Sequence, residues 1–176
     1  MADFSLRTAI ESDIAAISSI YNYYVENSTC TYQMKCETEA ERTNWFREHG
    51  DQFPVIVAEI ADDNDSVSCV DSNSRVLGWA SLSAFNRRCA YQNTAEVSVY
   101  IHHEHHRRGI GRALLGELVE RARALNFHTL IAGVCASQTP SLKLQKSLGF
   151  QEVGHLREVG CKFGEWLDVI YLQLML

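Results

Sequence analysis

The chain has 176 residues and a formal net charge of -6, with 46% hydrophobic and 22% charged residues. This length suits one domain with a sizeable core, and the acidic balance argues against a general nucleic-acid binder, because phosphate contacts need a basic field. Six cysteines without a CxxC pair point to free thiols in a reducing cytosol rather than a disulfide scaffold. No apolar run approaches the roughly 20 residues of a membrane span, and the first residues lack a basic-then-apolar signal pattern.

In chain order, FSLRT alternates and predicts a strand. Asp13 followed by Ile14, Ile17, Ile20, Tyr21 and Tyr24 gives a helical stripe. The segment ENSTCTYQM is a polar and β-branched link whose Tyr32 either lines a pocket or packs. Thr38 and Glu41 have capping-box spacing for a helix through Trp45, Phe46 and His49. FPVIVAEI is a strand, ADDNDSVSCVDSNSR an exposed loop lengthening a hairpin, and VLGWASLSAF the returning strand. After the connection FNRRCAYQN, TAEVSVYIH forms a third strong strand. GRALLGELVERARAL is amphipathic through Leu114, Leu115, Leu118, Val119, Ala122 and Leu125, and Glu117 can pair with Arg121. HTLIAGV is a strand, and SLKLQKSLGF a short helix ending at a C-cap glycine, Gly149. HLREVGCKF and LDVIYLQLML close the chain as strands. The order β-α-α-β-β-β-α-β-α-β-β predicts a layered α/β fold with a mixed central sheet, in one domain over residues 1–176.

The run HHEHHRRGIGR raises a metal site first. A zinc-protease HExxH would need a second histidine where Arg107 stands, and two adjacent arginines repel a cation, so no metal is expected. His102 to His106 are either loop histidines without a task or contacts for a ligand's phosphates. The glycines say more. Gly109 and Gly111 permit unusual dihedrals and close approach. A helix beginning there presents free N–H groups, and Arg107, Arg108 and Arg112 add positive charge. Chemically this is a diphosphate cradle. It is neither a Walker A loop nor a dinucleotide fingerprint, since the glycine spacing fits neither.

The pieces NYYVENSTCTY, GWASLSAFNRRCAY, TAEVSVYIHHEHHRRGIG, IAGVCASQTPSLKLQKSLGF and VGCKFGEWLDVIYLQL together resemble the GNAT superfamily of N-acetyltransferases. They look most like its phosphinothricin and methionine-sulfoximine acetyltransferase branch. The resemblance runs from about Phe4 to Leu172, with 62–74 looking like an insertion. It implies the GNAT fold, a mixed central sheet flanked by helices on both faces, and acetyl-CoA as cosubstrate. It implies that the acetyl-CoA arm pairs with the main chain at Val99, Tyr100 and Ile101. The pyrophosphate would then sit on Arg107, Arg108, Gly109, Ile110, Gly111 and Arg112. Gln138 would contact the arm, and Ser147 would either contact the cofactor tail or stand on the surface. His106 occupies a place usually held by Gln or Arg.

The same resemblance places the proposed base at Glu96. Amine acylation needs a neutral amine, and a carboxylate can take the proton directly or through water; holding a substrate ammonium or a structural ion pair are the other readings. Strand alternation sets Glu96 on the face opposite Ala95, Val97 and Val99. Gln145 stands where many members carry a tyrosine acid, and an amide cannot act as an acid. Arg88 and Tyr91 match acceptor-pocket places, with Arg88 either gripping a substrate carboxylate in two-pronged fashion or facing solvent. Tyr32 matches an aromatic wall. Lys162, Phe163 and Trp166 fall in the pocket region, the two aromatics as pocket, dimer or plain core residues, while Cys161 reads as a small buried residue. The branch implies a homodimer in the cytoplasm acting on a small amino-acid-like amine. Protein or polyamine acetylation and a non-catalytic CoA-binding protein are the rivals; no nucleic-acid or membrane partner is expected.

Overall fold

A computed structural model of the chain describes residues 4–61 and 75–176. The predicted hairpin-lengthening loop lies mostly outside them. The strands are β1 (Phe4–Thr8), β2 (Val55–Ile60), β3 (Val76–Ala84), β4 (Thr94–Ile101), β5 (Thr129–Cys135), β6 (Gln151–Lys162) and β7 (Glu165–Met175). The helices are α1 (Ile14–Asn27), α2 (Glu39–Glu48), α3 (Ile110–Ala124) and α4 (Thr139–Ser147). The expected element order is thus met. The strands form one mixed sheet in the order β1-β2-β3-β4-β5-β7-β6.

Local chemistry sets the helix ends. Thr38 Oγ1 accepts the Glu41 N–H at 3.2 Å and Glu41 accepts the Thr38 N–H at 2.7 Å, the expected capping box. Gly149 follows α4 with φ +93°, the left-handed stop that glycine provides most readily. Asp13 instead ties the start of α1 to β1, accepting the Ile10 N–H at 2.8 Å and pairing with Arg7 at 2.6 Å.

The central strands are buried on both faces, and β2 shows it residue by residue. Val55 and Val57 pack with Ala16, Ile17 and Ile20 of α1. Ile56 and Ala58 pack with Leu114, Leu115 and Leu118 of α3. Successive residues therefore enter opposite layers, as the strand period requires. The expectation of helices on both faces holds.

One feature of the sheet makes a site. β4 and β5 are parallel neighbours only from Thr94–Glu96 against Thr129–Ile131. Beyond that, β4 continues to Ile101 paired with β3, and β5 continues to Cys135 paired with β7. The two strands part after Glu96, and the β5-facing edge of β4 is left without a strand partner. Gly78 lets β3 follow β4 to its end: a Cβ there would lie 2.9 Å from the Tyr100 carbonyl oxygen.

Candidate active site

The parting of β4 and β5 opens a cleft of about 290 Å³. One wall is β4 from Glu96 to Tyr100, and the other is β5 from Ala132 to Cys135 with Gln138, Ser141 and Gln145 of the α4 region. The link after α1 supplies Cys30, Thr31 and Tyr32, and β7 supplies Val169 and Tyr171. The β4 wall is backed by aromatic packing, with Tyr100 stacked on Trp79 at 4.9 Å and edge-on to Tyr21 at 5.2 Å.

Glu96 sits at the apex, paired across the sheet with Ser83 on one side and Ile131 on the other. Ala95 and Val97 turn into the α3 core, so alternation directs Glu96 into the cleft, as the sequence predicts. It is half-buried and makes no hydrogen bond or ion pair with a described residue. Burial raises its carboxyl above the ordinary glutamate value. A Cβ built on Gly133 would lie 3.7 Å from Glu96 Oε1 and 3.5 Å from the Tyr171 ring, in ordinary contact with both, so this glycine borders the apex.

At the other end of β4 the residues expected to cradle a pyrophosphate form a loop and the start of α3. Gly109 caps α3 with φ +83°, and Arg107 also has positive φ, at 60°. A Cβ on Gly111 would lie 3.2 Å from Leu144, so the glycine lets α3 start against α4. The first-turn N–H groups of a helix have no intrahelical partner, and those of α3 adjoin this loop in sequence. Arg112 donates to Ser147 Oγ at 2.8 Å, linking the start of α3 to the end of α4, and Arg108 contacts His105 at 3.0 Å. Tyr24 donates its hydroxyl proton to the Ile101 carbonyl at 2.5 Å and meets His106 Nε2 at 2.6 Å. With that proton committed, Nε2 is the donor to the tyrosine oxygen. Among the other histidines, His103 stacks on Tyr23 at 3.9 Å. No group of three or more metal-ligating side chains occurs among the described residues.

The profile of the acetyltransferase (GNAT) domain family matches residues 6–171. The chain belongs to the GNAT acetyltransferase family. It is 34% identical to the L-amino acid N-acyltransferase MnaT of Escherichia coli, over 98% of this chain and 94% of the relative. It is 33% identical to the L-methionine sulfoximine/L-methionine sulfone acetyltransferase of Salmonella typhimurium, with the same coverage. Its fold matches a phosphinothricin acetyltransferase from Sinorhizobium meliloti, solved in complex with acetyl-CoA, with TM-score 0.87 and 35% identity over 99% of this chain and 89% of that one.

Within this GNAT frame the residues singled out in the sequence divide. Glu96, Val99, Tyr100, Gln138 and Tyr32 meet at the cleft, and residues 107–112 form the loop and helix start beyond Ile101. Arg88 and Tyr91 lie outside the cleft lining on the exposed β3–β4 connection, where Tyr91 packs edge-on against Phe85 at 5.8 Å. Phe163 and Trp166 flank the β6–β7 turn with 57% and 67% of their surface exposed, which sets aside the core reading for both. Cys161 is likewise exposed, not the small buried residue expected. Lys162 is only 2% exposed and is not among the residues lining the cleft. Its Nζ donates to the carbonyls of Ser28 at 2.7 Å and Thr31 at 2.8 Å.

Several lining residues escaped the sequence reading. Gly133 had a signal, an isolated glycine inside a strand. Cys135 and Tyr171 had none. Burial pushes the Cys135 thiol up, but hydrogen bonding with Ser137, then Tyr32 and Thr29, outweighs it and leaves the thiol below its ordinary value. Gly160 is the seat of Tyr32, whose hydroxyl donates to the Asp168 carbonyl at 3.1 Å. A Cβ at position 160 would lie 2.6 Å from two ring carbons. Gly160→Ala should therefore lower stability by roughly 1–3 kcal/mol through overpacking and displace the aromatic wall. Thermal unfolding in the parent and in a Tyr32→Ala background measures this. The cost should nearly vanish in the second, and an equal cost in both backgrounds would exclude the ring as its cause.

Proposed function

We propose that residues 1–176 form one N-acetyltransferase domain that moves the acetyl group of acetyl-CoA to the amino group of a small amino acid or analogue, of the phosphinothricin or methionine sulfoximine type. The observation that carries this reading is the unpaired edge of β4, which runs from the Glu96 carboxylate to the anion cradle. Five residue steps of extended chain make that edge roughly 17 Å long. An extended ligand with an anionic end can add to it as a strand would. Val99, Tyr100 and Ile101 then supply main-chain contacts. Arg107, Arg108, Gly109, Ile110, Gly111 and Arg112 hold the pyrophosphate, with Gln138 and Ser147 at the flanks.

At the apex, Glu96 takes the amine proton, directly or through water, as the amine attacks the thioester carbonyl. A raised carboxyl suits this, since a base nearer neutral pH holds the proton more readily. Tyr32 walls the acceptor side, and Arg88 and Tyr91 on the β3–β4 connection are assigned to the acceptor. Orientation of amine against thioester supplies much of the rate. The row of exposed apolar side chains on the β6–β7 hairpin, including Val153, Leu156, Val159, Phe163 and Trp166, supports a homodimer. The free thiols of Cys30, Cys36, Cys89, Cys135 and Cys161 are compatible with the reducing cytoplasm.

The test is a thiol-release screen with acetyl-CoA against amino acids, methionine sulfoximine, phosphinothricin, polyamines and peptides. Release is expected with the amino acids or their analogues. Release with peptides or polyamines alone would overturn the acceptor class, and no release with any amine would remove the function while leaving the fold intact.

A further inference from the structure

The histidine run after β4 is held by α1. His103 stacks on Tyr23, 3.9 Å apart and 9° from parallel, and His106 Nε2 donates to the Tyr24 oxygen at 2.6 Å. The Tyr24 hydroxyl in turn donates to the Ile101 carbonyl at 2.5 Å. Burial raises this hydroxyl above the ordinary tyrosine value, so it keeps its proton across the neutral range. One phenol oxygen therefore joins the last residue of β4 to His106, beyond the intervening turn. Tyr24 is held in its turn. Its ring packs edge-on against Tyr23 at 5.4 Å and tilted against Tyr100 at 5.8 Å, and Lys162 of β6 reaches its carbonyl at 3.4 Å.

The Ile101 carbonyl belongs to the open edge of β4. The His102 N–H donates to Leu77 O of β3 at 2.8 Å. Antiparallel pairing alternates, so the main-chain groups of Val99 and Ile101 turn to the opposite edge, which β5 has left. Tyr24 thus takes the last carbonyl of that edge. On the far side of His106, Arg107 has φ 60°, in the left-handed region that suits glycine. A residue with a side chain stays there only where neighbouring contacts fix the chain. The Tyr24–His106 hydrogen bond, immediately before Arg107, is such a contact.

Resting on the acetyl-CoA reading above, we infer that Tyr24 is a positioning residue for the pyrophosphate end of acetyl-CoA. Its hydroxyl fixes the end of the β4 edge, along which the arm would lie, relative to the loop that would meet the phosphates. It acts through Ile101 and His106 and touches no reacting atom. A loop held in its bound conformation needs no ordering when the ligand arrives, so the tether adds to affinity. It leaves the chemical step alone, because the thioester lies at the Glu96 end of the edge. His106 thereby gains a task, as the donor that fastens the loop to α1.

The experiment compares acetyl-CoA with S-acetylpantetheine, which has the same thioester and arm but no pyrophosphate or nucleotide. Tyr24→Phe keeps the ring and removes both hydrogen bonds. His106→Ala removes the tether from the loop side, at an exposed position. Each should raise the Kd for acetyl-CoA about three- to thirtyfold, the range for one or two lost hydrogen bonds. With the acceptor found in the screen above, KM for acetyl-CoA should rise alike while kcat at saturation stays within about twofold of the parent. kcat/KM for S-acetylpantetheine should also stay within about twofold, because nothing in that donor reaches the loop. An equal fall in kcat/KM for both donors would mark a general loosening of the site and overturn the inference. Unchanged acetyl-CoA affinity in Tyr24→Phe would overturn it as well. Failure of the parent to bind acetyl-CoA at all would instead bring down the acetyl-CoA reading, and this inference with it.

Discussion

Glu96→Gln should lower kcat by about a hundred- to ten-thousand-fold, the usual range for a lost general base, with little change in acetyl-CoA affinity. The pH profile should separate this from a structural effect. Burial raises the Glu96 carboxyl, so the parent loses activity as pH falls through a value above that of an ordinary glutamate. Glu96→Gln should lose that limb and keep a flat, low rate. Stability should move the other way. A carboxyl whose folded pKa is raised favours the folded state most below its unfolded pKa, and this contribution disappears as pH rises through the folded value. At neutral pH the charged Glu96 therefore opposes folding, and glutamine should leave the melting temperature equal or higher, with the gap closing on acidification. Steady-state rates from pH 5 to 9, set beside thermal melts at the same pH values, give the answer. An activity loss matched by a fall in melting temperature at neutral pH would end the case for Glu96 as base.

The parts of the molecule that follow from neighbours in sequence were readable before any coordinates. Helical stripes located α1 and α3, the Thr38–Glu41 pair located the start of α2, and period-two alternation aimed Glu96 away from Ala95 and Val97. The glycines of RRGIGR marked the loop and the start of α3 because their chemistry is local. The cleft itself was not readable. It exists because β4 and β5 stop pairing after Glu96 and Ile131, and where a parallel pair parts depends on the layers packed on either side. Gly133 and Tyr171 reach the apex only through that parting. Gln145 stood out as a departure from a motif, yet its burial with the side-chain oxygen unpartnered is a tertiary fact. The β6–β7 region was hardest, because β6 carries register shifts between Glu152 and Gly154 and between Leu156 and Gly160. Bulges insert residues that no local pattern announces, so the facing of Lys162, Phe163 and Trp166 could not be carried forward from HLREV.

Lys162→Met should unfold the protein more readily by roughly 2–5 kcal/mol, since one buried and one part-buried carbonyl lose a charged donor and each unsatisfied group costs about 1–3 kcal/mol. At about 2–4 °C per kcal/mol for a chain of this size, the melting temperature should drop by roughly 4–20 °C. The geometry explains why a lysine is buried here. α1 ends at Asn27, and the carbonyls at a helix C-terminus attract a cation. The Lys162 ammonium bonds to the Ser28 and Thr31 carbonyls, with Tyr24 O at 3.4 Å as a third acceptor. It thereby fastens β6 to the link that carries Cys30, Thr31 and Tyr32 along the cleft. Methionine fills the volume and supplies no donor, so the link should loosen before the sheet does. Hydrogen exchange of the amides at 28–32 should speed up under conditions where those of β4 and β5 stay protected. This also separates the bridge from a substrate-binding lysine. Loss of an acceptor contact would raise KM for the amine and leave melting temperature and exchange unchanged, and that outcome would return Lys162 to the acceptor pocket.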